Sequence, residues 1–414
     1  MKIGLFGNTN NSMFILAEAL RTLGHQVVLV VTSKELLNRP ESRAPELTLG
    51  YPDWVVDASA LDDEDYFVLS PGVAPIVERL SSCDALLLNF VGPSLLPLLN
   101  RPAIAFLTGS DLDYYANPSM IEARTKAASP AHMASPAGQQ YVRTLTHFVQ
   151  RQRQGIRSAV AVRYFPRGLV PDGDRLLDEI GVEDANRLPL IAVDPSVKMV
   201  PAPHNQPIRV FCATRLTWKL PVELGRSTLD YKGSDVMVRG LGAFYRATGT
   251  RLDIQLVRKG LHVEDLKVLI DEEGLADQVT WSDEMSLTEV WDRFAKSDIV
   301  IEQLSDSVVA GAGLDAMATG RPVIGNAHPE MYEARDGEMA PFCLAKTAEE
   351  VSAHLQRLVF DPGERERIGR AGGRYVEEHF SIWRAIQICL ERFETALNPV
   401  AGRVKARSPL SGLS

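Results

Sequence analysis

The sequence predicts an α/β protein built from two Rossmann-like domains facing each other across a cleft. Three observations carry this. The chain has 414 residues, and at roughly 150 residues per domain that suggests two or three domains. Strand and helix signals alternate in two separate series. Between them, over 166–206, the pattern loosens around Pro166, Pro171, Pro189, Pro195, Pro201 and Pro203, as a connection between domains does.

The first series opens with a short apolar run at 2–6 that ends in Gly7. A polar loop, Asn8-Thr9-Asn10-Asn11-Ser12, follows, with Ser12 placed to cap a helix. Met13, Leu16, Ala17, Leu20 and Leu23 recur at helical spacing, and Gly24 sits where a helix stops. The β-branched run at 26–31 reads as a buried parallel strand. Further strands are predicted at 85–90, 103–107 and 159–165. The acidic, polar stretch 41–65 reads as a surface excursion.

The second series predicts strands at 208–213, 252–257, 278–281, 299–303 and 322–324. Helices are predicted at 235–248, 264–273, 286–296, 313–319 and 348–359, with a long amphipathic one at 382–397. The domains are accordingly placed at 1–170 and 207–380, with a linker at 171–206. The helix 382–397 crosses back to the first domain, and 399–414 is a frayed tail.

Composition narrows the function. Hydrophobic residues make up 45% and charged residues 23%, which excludes a disordered chain or a fibre. The net charge of −9 argues against a nucleic-acid binder, which presents a basic face. No apolar run approaches the ~18 residues of a membrane span, and no signal-peptide pattern opens the chain. Cys83, Cys212, Cys343 and Cys389 form no CxxC pair and read as reduced thiols of a cytoplasmic protein.

Ligands in such sheets bind at the carboxyl ends of strands, so the loops there are the candidate site. The first loop has only Gly7 and lacks the spaced glycines of a dinucleotide fingerprint, and Val31-Thr32-Ser33-Lys34 supplies no acid after the second strand. Thr108-Gly109-Ser110-Asp111 follows the strand at 103–107 and is either a capped helix start or part of the site. Arg215 follows the strand at 208–213, and Lys232-Gly233 precedes a helix. Two cations at strand ends can converge on one pyrophosphate. Gly311-Ala312-Gly313-Leu314 opens a helix whose backbone N–H groups suit a phosphate. One turn on, Asp315 is placed to accept from two ribose hydroxyls.

Arg215, Lys232-Gly233 and the run Gly311-Ala312-Gly313-Leu314-Asp315-Ala316-Met317-Ala318-Thr319-Gly320-Arg321-Pro322 resemble the carboxyl half of retaining glycosyltransferases of the GT-B fold. More narrowly, they resemble the large group 1 family, numbered family 4. Gly274-Leu275-Ala276-Asp277 and Thr108-Gly109-Ser110-Asp111 resemble two of that family's turns. The resemblance implies a nucleoside diphosphate sugar as co-substrate, with no other cofactor and no metal. It implies Arg215 and Lys232 on the diphosphate, assisted by Gly311, Gly313 and Leu314, and Asp315 on the ribose. Lys259, Gly260 and Met285 would line the base. The acceptor would bind the first domain near Asn8, Thr9, Asn10, Asn11, Thr108, Gly109 and Ser110, with Asp111 catalytic.

The sequence departs from that family's pattern at three places. Its first signature Glu is Ser307, its ribose-binding Glu is Asp315, and the His of its HGSD turn is Thr108. Two readings follow. One is a retaining transferase acting on a hydroxyl or amine acceptor in glycan or secondary-metabolite biosynthesis. The other is a catalytically impaired relative that binds a nucleotide or glycan, or partners an active transferase.

Overall fold

The structure is a computed structural model and describes residues 1–126, 129–188, 190–219, 231–305 and 311–398. Its first sheet contains β1 (Lys2–Phe6), β2 (Gln26–Val31), β3 (Val55–Asp57), β4 (Ala85–Leu88), β5 (Ala103–Phe106), β6 (Ala161–Arg163) and β7 (Arg187–Leu188). The second contains β8 (Arg209–Cys212), β9 (Asp253–Val257), β10 (Val279–Ser282), β11 (Ile299–Ile301), β12 (Val323–Gly325) and β13 (Cys343–Leu344). The strand orders are β3-β2-β1-β4-β5-β6-β7 and β10-β9-β8-β11-β12-β13.

In each sheet the chain order reverses beside the first strand. Phe6 pairs in parallel with Val30 on one side and Leu88 on the other. Val210 and Phe211 of β8 likewise lie between β9 and β11. These reversals open a crevice at the carboxyl ends of β1 and β4, and another at those of β8 and β11. Every residue of β4 and β5 is buried, as strands covered by helices on both faces must be.

The helices after the central strands follow their apolar spacing. The helix Ser12–Thr22 buries Met13, Leu16, Ala17 and Leu20, and Gly24 takes a φ of 84° just beyond it. Leu23 falls off that face and is 51% exposed. Ser12 is the first residue of the helix rather than its cap. Asn11 holds the cap position, and Ser12 Oγ donates to Thr9 O at 2.8 Å.

Three expectations are corrected. The span 171–206 is not all linker: the helix Pro171–Ile180 buries Leu176, Leu177 and Ile180 against Tyr164 and Leu169, and β7 extends the first sheet. Pro171 sits in the first turn, where its missing N–H costs nothing. The helices Pro136–Ser158 and Pro362–His379 start the same way, with Ser135 and Asp361 side chains accepting from Gly138 N and Glu364 N. The excursion 41–65 is also anchored: Ser42 is fully buried, Ala44 packs into the first core, and β3 lies within it. Finally, β3, β7 and β13 are two- or three-residue strands at sheet edges, too short to show a period.

The helix Ile382–Leu397 buries Ile382, Ile386, Cys389 and Phe393 among Ile3, Leu20 and Val27 of the first domain. Val193 N donates to Phe380 O at 3.0 Å, so the two chain crossings lie side by side. All four cysteines are buried and free. No helix among the described residues is long and apolar enough to cross a membrane. The tail at 399–414 lies outside the described residues.

Candidate functional site

On the first domain, three loops meet at Asn89, which follows β4 and is fully buried. Its Oδ1 accepts from Thr9 N at 3.2 Å and Thr9 Oγ1 at 2.8 Å. Its Nδ2 donates to Phe106 O at 2.8 Å, Thr108 Oγ1 at 3.2 Å and Asp111 Oδ2 at 3.0 Å. One amide thus ties the β1 loop to the β5 loop. The sequence marks it only as a polar break in an apolar run.

Within the β1 loop, side chains divide by direction. Asn8 is buried: its Nδ2 donates to Asn38 O and Asn11 Oδ1, and its Oδ1 accepts from Phe14 N. Asn11 is buried too and donates to Leu37 O and Arg39 O. Asn10 and Asn11 hold φ of 53° and 58°, the left-handed region that Asn tolerates better than most residues. Thr9 is half-buried and Asn10 exposed. The cleft-facing part of this loop is therefore smaller than the motif.

Asp111 is 1% exposed. Its carboxylate accepts from Thr108 N at 2.8 Å and Gly109 N at 2.9 Å, besides Asn89. Burial pushes its pKa up, opposed by these donors and by the Arg163 charge. Arg163, at the end of β6, is itself buried, and its pKa is lowered to about 10 by burial, opposed by Asp111. It donates to Leu190 O and Leu107 O at 2.5 and 2.6 Å. These contacts make Asp111 the internal brace of the turn 108–111, with its oxygens turned away from solvent. Along the turn Thr108 is half-buried, Gly109 buried and Ser110 exposed.

On the second domain, four segments are stitched into one seam. Leu216 N donates to Lys259 O at 2.6 Å, Lys232 N to Thr217 O at 2.8 Å, and Leu304 N to Lys232 O at 3.0 Å. Lys232 Nζ donates to Gln303 Oε1 at 2.9 Å. Arg215 is exposed, while Lys232 is half-buried. The residues Arg215, Lys232, Lys259 and Gly260 are thus brought together at the carboxyl ends of β8, β9 and β11. Lys259 Nζ also pairs with Glu284 at 3.1 Å.

Gly260 makes the seam possible. Its φ is 128°, and a Cβ there would lie 2.5 Å from both Leu216 N and Leu216 O. Gly260→Ala is expected to cost about 2–4 kcal/mol of stability through strain and a backbone clash, measured by urea unfolding.

The helix Gly311–Ala318 begins with Gly311 exposed and buries Gly313 and Leu314. Ser307 lies outside the described residues. Asp315 Oδ2 accepts from the indole Nε1 of Trp291 at 2.9 Å. Met285 and Trp291 both pack on the cluster that contains Leu314, Val257 and Phe294. Nothing in the spacing of the sequence points to Trp291, 24 residues from its partner.

Burial pushes the Asp315 carboxyl up to about 7, opposed by the Trp291 N–H and reinforced by Asp194. The folded chain therefore holds this proton more tightly than the unfolded chain between pH 3.8 and about 7. Stability from this group is present at low pH and lost as pH rises through about 7. Asp315→Asn is expected to gain about 2 kcal/mol on the parent between pH 5 and 8, discounting for partial exposure. Thermal unfolding across that range checks it.

The domains touch beside this helix. Leu287 N donates to the buried Ser42 Oγ of the first domain at 2.7 Å. Arg43 Nε donates to Asp194 Oδ2 at 2.8 Å.

No protein-family model matches the chain. Over 175 residues the chain is 27% identical to the D-inositol 3-phosphate glycosyltransferase of Arthrobacter sp. (strain FB24), and that match spans 40% of each protein. Among solved structures, HepE of Anabaena in complex with UDP-glucose superposes with a TM-score of 0.62 at 15% identity, covering 95% of this chain and 100% of HepE. Sucrose-phosphate synthase from Thermosynechococcus elongatus gives 0.59 at 14% identity, covering 96% and 99%. With two parallel sheets opening at their strand ends and whole-chain similarity to these enzymes, the chain has the GT-B fold of glycosyltransferases.

Proposed function

We propose that the chain is a retaining glycosyltransferase that moves a sugar from a nucleoside diphosphate to a hydroxyl or amine acceptor. The seam joining Arg215, Lys232, Lys259 and Gln303 carries this reading. It gathers cations at the strand ends where a crevice opens. Arg215 and Lys232 bind the diphosphate, with the N–H groups near Gly311, Gly313 and Leu314. Asp315 accepts from the ribose, and Gly260 and Met285 border the base. That HepE is solved with UDP-glucose supports a sugar nucleotide as donor.

In the transfer step, the bond from the anomeric carbon to the departing phosphate oxygen breaks. The acceptor oxygen or nitrogen bonds to that carbon on the same face, and its proton passes to the departing phosphate. Arg215 and Lys232 stabilise the negative charge that grows there, which is the work a metal ion does in other transferases. Thr9, Asn10, Thr108, Gly109 and Ser110 offer the acceptor surface. Asn8, Asn11 and Asp111 hold that surface in shape, so Asp111 acts as a positioning residue.

The test is incubation with UDP-, GDP- and ADP-glucose and simple sugar or polyol acceptors, following nucleoside diphosphate release. Release with an axial anomeric product by NMR fits the proposal. An inverted product contradicts the retaining step. Tight nucleotide binding with no release on any donor favours the impaired relative.

A further inference from the structure

Asp315 reaches the ribose under the proposed function, and this inference rests on that reading. An aspartate carboxylate turns easily about its last bond, because that torsion is broad and two-fold. A recognition carboxylate therefore needs a lock. The indole Nε1–H of Trp291 reaches Oδ2 at 2.9 Å, and Oδ1 takes no hydrogen bond among the described residues.

The lock is itself fixed. Trp291 lies on the helix Leu287–Ala295, whose start is closed by a reciprocal cap between Ser286 and Glu289. Leu287 N is held by Ser42 Oγ of the first domain, and Phe294 is fully buried below. The ring packs on the core cluster that contains Phe294 and Leu314. We propose that Trp291 is the positioning residue for nucleotide recognition: it holds one carboxylate oxygen of Asp315 so that the other accepts from the ribose hydroxyls.

A donor to the ionised form favours that form, so the indole works against burial and the neighbouring Asp194 to keep Asp315 an acceptor. Asp194 is in turn paired with Arg43, which also meets Glu18 at 3.1 Å.

Calorimetric titration with UDP, GDP and ADP and with their 2′-deoxy forms tests this. The parent protein should prefer its ribonucleotide by about 10-fold, the scale of one hydrogen bond to a charged group. Trp291→Phe should bring that ratio to within about 2-fold of unity while the deoxynucleotide affinity stays unchanged. Asp315→Asn should abolish the same preference, and the double variant should lose nothing more. A ratio preserved in Trp291→Phe overturns the proposal, as does equal weakening of both ligand forms, which marks a packing role alone. A parent that binds nucleotide without ribose preference overturns it and leaves the donor site standing. A parent that binds none of the six overturns the nucleotide reading and this inference together.

Discussion

Replacing Arg215 or Lys232 with alanine is expected to lower kcat/KM for the proposed sugar transfer by about 3 kcal/mol, more than 100-fold, the cost of removing one donor to a developing oxyanion. The geometry explains the size. Lys232 is fixed at both ends, through its backbone by Thr217 and Leu304 and through Nζ by Gln303. A cation held in place needs no reorganisation as charge grows on the departing phosphate. Gln303→Ala should do less, because it loosens Lys232 and leaves the charge. Steady-state kinetics on the three variants checks the order. Unchanged turnover in both cation variants removes the diphosphate from this seam.

The second large effect falls on the first domain. Asp111→Ala is expected to destabilise the protein by about 3–5 kcal/mol, because it strips the partner from a buried charge. Two backbone N–H groups, at Thr108 and Gly109, lose their acceptor, and Arg163 is left buried without its counter-charge. Asp111→Asn keeps an oxygen for those N–H groups and should cost less. Urea unfolding of both variants measures this. The Asn variant separates the roles: a positioning residue leaves much of kcat intact, whereas a catalytic carboxylate does not.

The sheets were legible wherever strands are central and buried. Runs such as Val27 to Val31 and Leu86 to Leu88 need apolar residues on both faces, and this shows in the sequence. Three of the four sheet edges were not legible, because β3 contributes three residues and β7 and β13 two each, whereas the edge strand β10 (Val279–Ser282) matches the strand expected at 278–281. Pro171 misled: it was read as part of a linker and opens a helix, as Pro136 and Pro362 also do, and the residue type alone does not separate a helix start from a linker.

The placement of the candidate residues along the chain was more legible than the direction of their side chains. The glycines and cations of Arg215, Lys232 and Gly260 stand at strand ends by chain order alone. Which way Asn8, Asn11 and Asp111 point depends on residues far away, such as Asn38, Leu37 and Asn89. Trp291 and Ser42 act through contacts between separate elements, and no local pattern announces such a contact.

In the proposed function, Arg215 and Lys232 hold a nucleoside diphosphate at the seam. Calorimetric titration of UDP, GDP and ADP into the parent chain and into the double variant Arg215→Ala/Lys232→Ala tests it most directly. One site per chain is expected in the parent for at least one nucleotide, and at least about 100-fold weaker binding in the double variant. Equal affinity in both proteins, or no binding by the parent, would contradict it.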